Sequence, residues 1–186
     1  MYLSGAGAGM HAPPPGPTAK IVRVAITVVT VALVFASSFN AALGQRDIAI
    51  LLALAAPLGV ASWGFARNGL HEAAVVLLST VLVVVITMIL ALSPLGVHDP
   101  AVIAYSGVLL FNALLLSRRA FLMMVGLTVL SATLVFSAEL LGLTKSMLGD
   151  LMGWPALADF LLLNAVIGGL GRVVAEVLLA SLGLSG

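Results

Sequence analysis

The sequence predicts an all-α integral membrane protein: a bundle of six transmembrane helices with both termini cytoplasmic. Three observations predict it. Hydrophobic residues make up 62% of the 186, and the mean hydropathy of +1.24 lies far above that of a water-soluble domain, where about half the residues are apolar. Seven acids and eight bases are too few to cover a globule made of such material. Finally, the apolar residues fall into six runs, most of them near the ~20 residues that a helix needs to cross a ~30 Å hydrocarbon layer at about 1.5 Å per residue. A barrel is excluded, because no ~10-residue alternating strands occur and the backbone of a lipid-facing segment must be satisfied within its own helix.

The first segment, residues 1–19, reads "MYLSGAGAGMHAPPPGPTA". Rich in Gly, Ala and Pro and without helical or strand period, it buries too little to offset its ordering entropy and is expected to be a flexible tail. It is not a signal peptide: Lys20 and Arg23 follow it, and the next apolar run is longer than a secretory core of about 7–15 residues. A membrane domain is expected over 20–182, with spans at about 21–43, 47–66, 72–92, 101–116, 120–141 and 157–180. Its fourth span is short. Between the spans stand "GQRD", "RNGLHE", "SPLGVHDP", "SRR" and "GLTKSMLGDLMGWP", which hold most of the charge and the Gly or Pro punctuation of turns. Pro57 is expected to kink the second helix. Residues 183–186 form the C-terminal end, read as a possible truncation before a signalling helix.

Basic residues orient the bundle. With the tail inside, the inner side receives Lys20, Arg23, Arg67, Arg118, Arg119 and Arg172, and the outer side only Arg46 and Lys145. Trp63 and Trp154 then fall near opposite interfaces, where indoles anchor. The expected location is the inner (plasma) membrane, multi-pass. A net charge of +1 offers no basic face for nucleic acid, and the absence of cysteine removes disulfides and thiolate chemistry.

An ionisable group at membrane depth costs about 2.5–3.5 kcal/mol on insertion scales, so such groups are the informative ones. Asp47, Asp99, Glu139, Asp150 and Asp159 fall on the outer side together with His98. Asp99 starts the fourth helix, Glu139 lies about one turn from the end of the fifth, and Asp159 sits in the first turn of the sixth, so three spans bring carboxylates to one level. Two accounts stand side by side. Asp99 is an N-cap with Pro100 at the first helical position, and Asp159 complements a helix N-terminus. Alternatively, His98, Asp99 and Glu139 line a shared outer pocket for a ligand, a cation or protons, histidine being the group that titrates near neutral pH. A metal site is not expected, because adjacent His and Asp lack helical ligand spacing.

Tyr105 and Asn112, seven apart, share a face of the fourth helix; interhelical hydrogen bonding and ligand contact are the two readings. In the sixth helix "NAVIGGLGR" sets Ala165 and Gly169, and Gly168 and Gly171, at close-packing spacing for helix contact or dimerisation. Arg172 and Glu176 follow at i, i+4 and mark where that helix leaves the membrane. No nucleophile elbow, "HExxH" or phosphate loop occurs, no cofactor is implied, and the chain is not expected to be an enzyme.

The stretch 96–143 resembles the six-helix membrane input regions that precede PAS, histidine kinase or nucleotide cyclase modules in bacterial and archaeal signalling proteins. The matching residues are Gly96, Val97, His98, Asp99, Pro100 and Ala101, then the basic turn Arg118–Arg119, then Ala138 and Glu139. About a quarter of the chain carries the likeness; the rest matches by topology alone. The resemblance implies a homodimeric sensor in two-component or related signal transduction. Joined with the residues read from position and spacing, such a sensor would detect its ligand at His98, Asp99, Glu139 and Asp159, with Tyr105 and Asn112, and pass the signal through the sixth helix, with Arg172 and Glu176, to a cytoplasmic module in cis or in trans. The chain departs from the family in ending at "LLASLGLSG" without an output domain. Competing expectations are a small proton- or ion-coupled transporter, which favours acids near the midplane and inverted repeats that are not evident here, and a non-catalytic assembly partner.

Overall fold

A computed structural model describes residues 17–143 and 154–181. Its helices are α1 (Pro17–Ala42), α2 (Arg46–Arg67), α3 (His71–Leu92), α4 (Ile103–Leu115), α5 (Arg118–Leu140) and α6 (Trp154–Ser181), with two 3-10 turns, Gly96–His98 and Pro100–Val102, leading into α4. No strand occurs among the described residues. Five stretches, within α1, α2, α3, α5 and α6, are long and apolar enough to cross a membrane, whereas the apolar helical stretch Pro100–Leu115 is shorter. The chain is a multi-pass membrane protein by these lengths.

Helix ends follow from local chemistry. At the close of α2 the Leu70 N–H donates to the Phe65 carbonyl at 3.0 Å and the Gly69 N–H to Ala66, with Gly69 at φ +85°. This paired closure satisfies orphaned carbonyls and needs a residue that tolerates left-handed backbone. The same bonding pattern ends α1, from Gln45 to Asn40 and Gly44 to Ala41, and α5, from Leu143 to Ala138 and Gly142 to Glu139. Ser117 caps α5, its hydroxyl accepting from the Ala120 N–H.

The helices run up and down. The pair α1–α2 packs against α3, which also touches α4 and α5, while α6 lies chiefly on α4. Ile26, Leu78, Leu90, Tyr105 and Leu109 are fully buried between these layers. Outward faces are no less apolar: Phe35 is 71% exposed and Leu134 61%, the reverse of a water-soluble surface.

Antiparallel packing sorts the charges to two ends. One holds Lys20, Arg23, Arg67, Arg118, Arg119 and Arg172 with Glu72 and Glu176; the other holds Arg46 with Asp47, Asp99, Glu139 and Asp159. They are termed the arginine-rich and the carboxylate-rich ends. Lys145 and Asp150 lie outside the described residues, as do 1–16 and 182–186.

Two expectations need correction. Helix α1 begins at Pro17, so the last three residues assigned to the tail, Pro17–Ala19, are helical; proline suits a first helical turn, where its missing N–H is not needed. The fourth span starts as a 3-10 turn over Pro100–Val102, leaving 13 residues in α4, about 20 Å of α-helix. Pro57 lies inside α2, which is continuous from Arg46 to Arg67.

Candidate functional site

The turn from α3 into α4 is built by its own polar residues. Ser93, at the end of α3, donates its hydroxyl to Asp99 Oδ2 at 2.6 Å, and that Oγ accepts from the Leu95 N–H at 3.2 Å. Asp99 Oδ1 accepts from the Ala101 N–H at 2.8 Å, with Pro100 next to the cap. Asp99 therefore takes the N-cap position that the Asp-Pro pair predicts.

Glu139 reaches this turn from α5. Its Oε2 accepts the Val97 N–H at 2.9 Å, and the residue is 4% exposed. Gly96, at φ +55°, lies beneath the carboxylate: a β-carbon there would sit 2.7 Å from Glu139 Cδ. An acid in the last turn of a helix meets the negative end of the helix dipole, an unfavourable placement that a backbone donor offsets. The second oxygen, Oε1, is buried and has no partner among the described residues.

The carboxylate-rich cluster is less unified than expected. Glu139 and the 96–99 turn do meet, but His98 is exposed and its imidazole joins no hydrogen bond among the described residues, and Asp159 is exposed on α6. Asp99 stands between the two 3-10 turns with extended backbone, φ −64° and ψ 133°, where neighbouring side chains point to opposite sides, so capping by Asp99 turns His98 away. The open cleft at this end, about 540 Å³, lies instead between the α1–α2 turn and the end of α3, with Arg46, Asp47, Ser93 and Asp99 on its walls. Arg46, Asp47 and Ser93 were not among the expected site residues; their only sequence signal is a polar loop of matching level.

Helix α4 is fastened to its neighbours along its length. Tyr105 OH and Thr87 Oγ1 lie 2.7 Å apart, and Ser79 Oγ donates to Asn112 Oδ1 at 2.5 Å, so both residues of the shared face bond α3. Interhelical bonding is the reading that fits them; both are fully buried, and Asn112 Nδ2 has no partner among the described residues. On another face Ser106 Oγ donates to Asn164 Oδ1 of α6 at 3.0 Å. Tyr105 meets Phe160 edge-on at 5.9 Å, and Phe160 stacks on Phe136 of α5 at 5.3 Å.

Arg172 does more than mark the exit of α6. Its Nη1 donates to the Leu116 carbonyl at 2.7 Å and to that of Ala113 at 3.4 Å, while Nε donates to Glu176 at 2.9 Å. A cation at the C-terminal carbonyls of α4 satisfies orphaned acceptors and complements the negative dipole end.

The glycine stretch of α6 divides by face. Gly171 packs on α4, where a β-carbon would meet Leu110 Cδ1 at 2.7 Å and Ala113 Cβ at 3.4 Å, and Gly168 faces Phe121 and Leu109. Ala165 and Gly169 are exposed, so within the chain they are not the close-packing pair that their spacing indicated. Compared with known proteins, the chain matches no family model, no curated protein and no solved structure.

Proposed function

We propose that the chain is a membrane-embedded sensory input domain: six spans in the plasma membrane, both termini cytoplasmic, acting as a homodimer that passes its state through α6 to a cytoplasmic signalling module in cis or in trans. The supporting observation is how α4 is held. At the carboxylate-rich end its leading turn bonds Glu139 of α5, and at the arginine-rich end its last carbonyls bond Arg172 of α6. A shift of the 96–99 turn therefore moves a short, stiff helix whose far end is fixed to α6. Orientation follows the excess of basic residues at the arginine-rich end, which the positive-inside rule assigns to the cytoplasm. The stimulus acts at Asp99 and Glu139, with His98 and Asp159 displayed outward at the same level. It biases two packings of α4 only insofar as it binds them with different affinity.

The test is a chimera carrying a histidine kinase output after α6, compared with its Glu139→Gln form across a panel of pH and small-molecule conditions. Glutamine keeps an oxygen for the Val97 N–H and removes the charge, so an altered basal or stimulated output is expected. Indistinguishable signalling in every condition would remove the basis of the proposal.

A further inference from the structure

We infer that the groove between α1 and α2 at the arginine-rich end is a binding site for an anionic phospholipid, one acyl chain lying in the groove and the phosphate between Arg23 and Arg67. The groove holds about 210 Å³ and is lined by Thr27, Thr30, Val31, Val60 and Trp63. Its wall is apolar in effect, because the hydroxyls of Thr27 and Thr30 are both turned onto their own backbone, to the carbonyls of Arg23 and Ile26 at 2.8 Å. Toward the middle of the bundle the groove closes where Gly59 lets the two helices touch: a β-carbon there would lie 2.5 Å from Thr30 Oγ1 and 3.2 Å from Thr30 Cβ.

Helical spacing places the charges at the other end. Arg23 stands one turn before Thr27 on the same face of α1, and Arg67 one turn after Trp63 on α2. The Arg67 guanidinium rests 5.6 Å from the centre of the Trp63 ring, which fixes it at the groove mouth. Arg23 is half-buried, and its Nε has no partner among the described residues. Neither arginine forms an ion pair among the described residues, and the acids of this end are engaged elsewhere, Glu72 accepting from Ser117 Oγ and Glu176 from Arg172. Two uncommitted planar donors above an apolar channel match a phosphate diester carrying a hydrocarbon chain. A zwitterionic lipid brings its own cation to the same place and loses that match.

Trp63 reports occupancy. The Trp154→Phe protein, which retains Trp63 as its one indole, is reconstituted in phosphatidylcholine vesicles containing a rising fraction of acyl-brominated phosphatidylglycerol or acyl-brominated phosphatidylcholine. Half-maximal quenching is expected at a roughly 25-fold lower fraction of the anionic lipid, since each of the two arginines near the surface favours an anionic headgroup about fivefold. Arg23→Gln with Arg67→Gln should abolish the difference, and the double lysine variant should retain most of it. Val60→Phe, which fills the groove and leaves both arginines, should reduce quenching by the anionic lipid. Equal quenching by the two lipids overturns the inference, as does a preference that survives both the glutamine pair and Val60→Phe. Loss of the preference in millimolar inorganic phosphate would mean a free-phosphate site instead, and no quenching by either lipid would mean that a second copy of the chain fills the groove.

Discussion

Gly96 and Glu139 compete for one volume: a β-carbon on Gly96 would stand 2.7 Å from Glu139 Cδ. The glycine also holds φ +55°, where an L-residue pays about 1–2 kcal/mol. Gly96→Ala is therefore expected to destabilise the protein by roughly 2–4 kcal/mol, the backbone term plus about 1–2 for overpacking. In a Glu139→Ala background only the backbone part should remain. Unfolding free energies of the four proteins in a double-mutant cycle check this, and additive losses would refute the shared volume.

Glu139 also supplies the acceptor for the Val97 N–H. Glu139→Leu leaves that buried donor without a partner, at a cost of about 1–3 kcal/mol, whereas Glu139→Gln keeps an oxygen in place. Leucine should accelerate hydrogen exchange at the Val97 amide well beyond the effect of glutamine. Equal exchange in the two variants would show that the carboxylate does not hold the turn.

The contrast between those variants also marks what the sequence makes legible. Spans announce themselves because lipid demands about twenty apolar residues between polar turns, and helix ends because glycine and Asp-Pro have few other uses there. Asp99 at its cap and the glycine closures of α1, α2 and α5 were accordingly readable. Helix rotation was not. In α1 the buried Ile26 and the 71% exposed Phe35 are equally apolar, so no stripe distinguishes the packed face from the lipid face. The same blindness hides the partners Thr87, Ser79 and Ser106, and it hides the divergence of His98 from Glu139. Arg172 looked like an exit marker because its sequence neighbour Glu176 is visible and its spatial neighbour Leu116, 56 residues away, is not.

That long-range contact sets unequal values for the two ends of the Arg172–Glu176 pair. Arg172→Gln shortens the reach to the Leu116 carbonyl and removes the cation from the end of α4, so a loss of about 1–2 kcal/mol is expected, with faster exchange of amides in the last turn of α4. Glu176 is 59% exposed and stands C-terminal to its cation, the weaker order, so Glu176→Gln should change stability by less than about 0.5 kcal/mol. Equal effects of the two substitutions would reduce Arg172 to an ordinary surface ion pair.

Within α6 the glycines separate folding from association. At Gly171 a leucine must displace Leu110 and Ala113, so Gly171→Leu should cost about 1–3 kcal/mol of monomer stability. Gly169 has open space around its missing side chain, and Gly169→Leu should leave the fold intact. If the proposed homodimer uses the exposed Ala165–Gly169 face, close backbone approach is what holds it, and a leucine there should weaken association by at least about tenfold. Sedimentation in detergent, together with thermal unfolding, reads both quantities. A Gly169→Leu protein that is stable and still fully dimeric would move the dimer seam away from this face of α6.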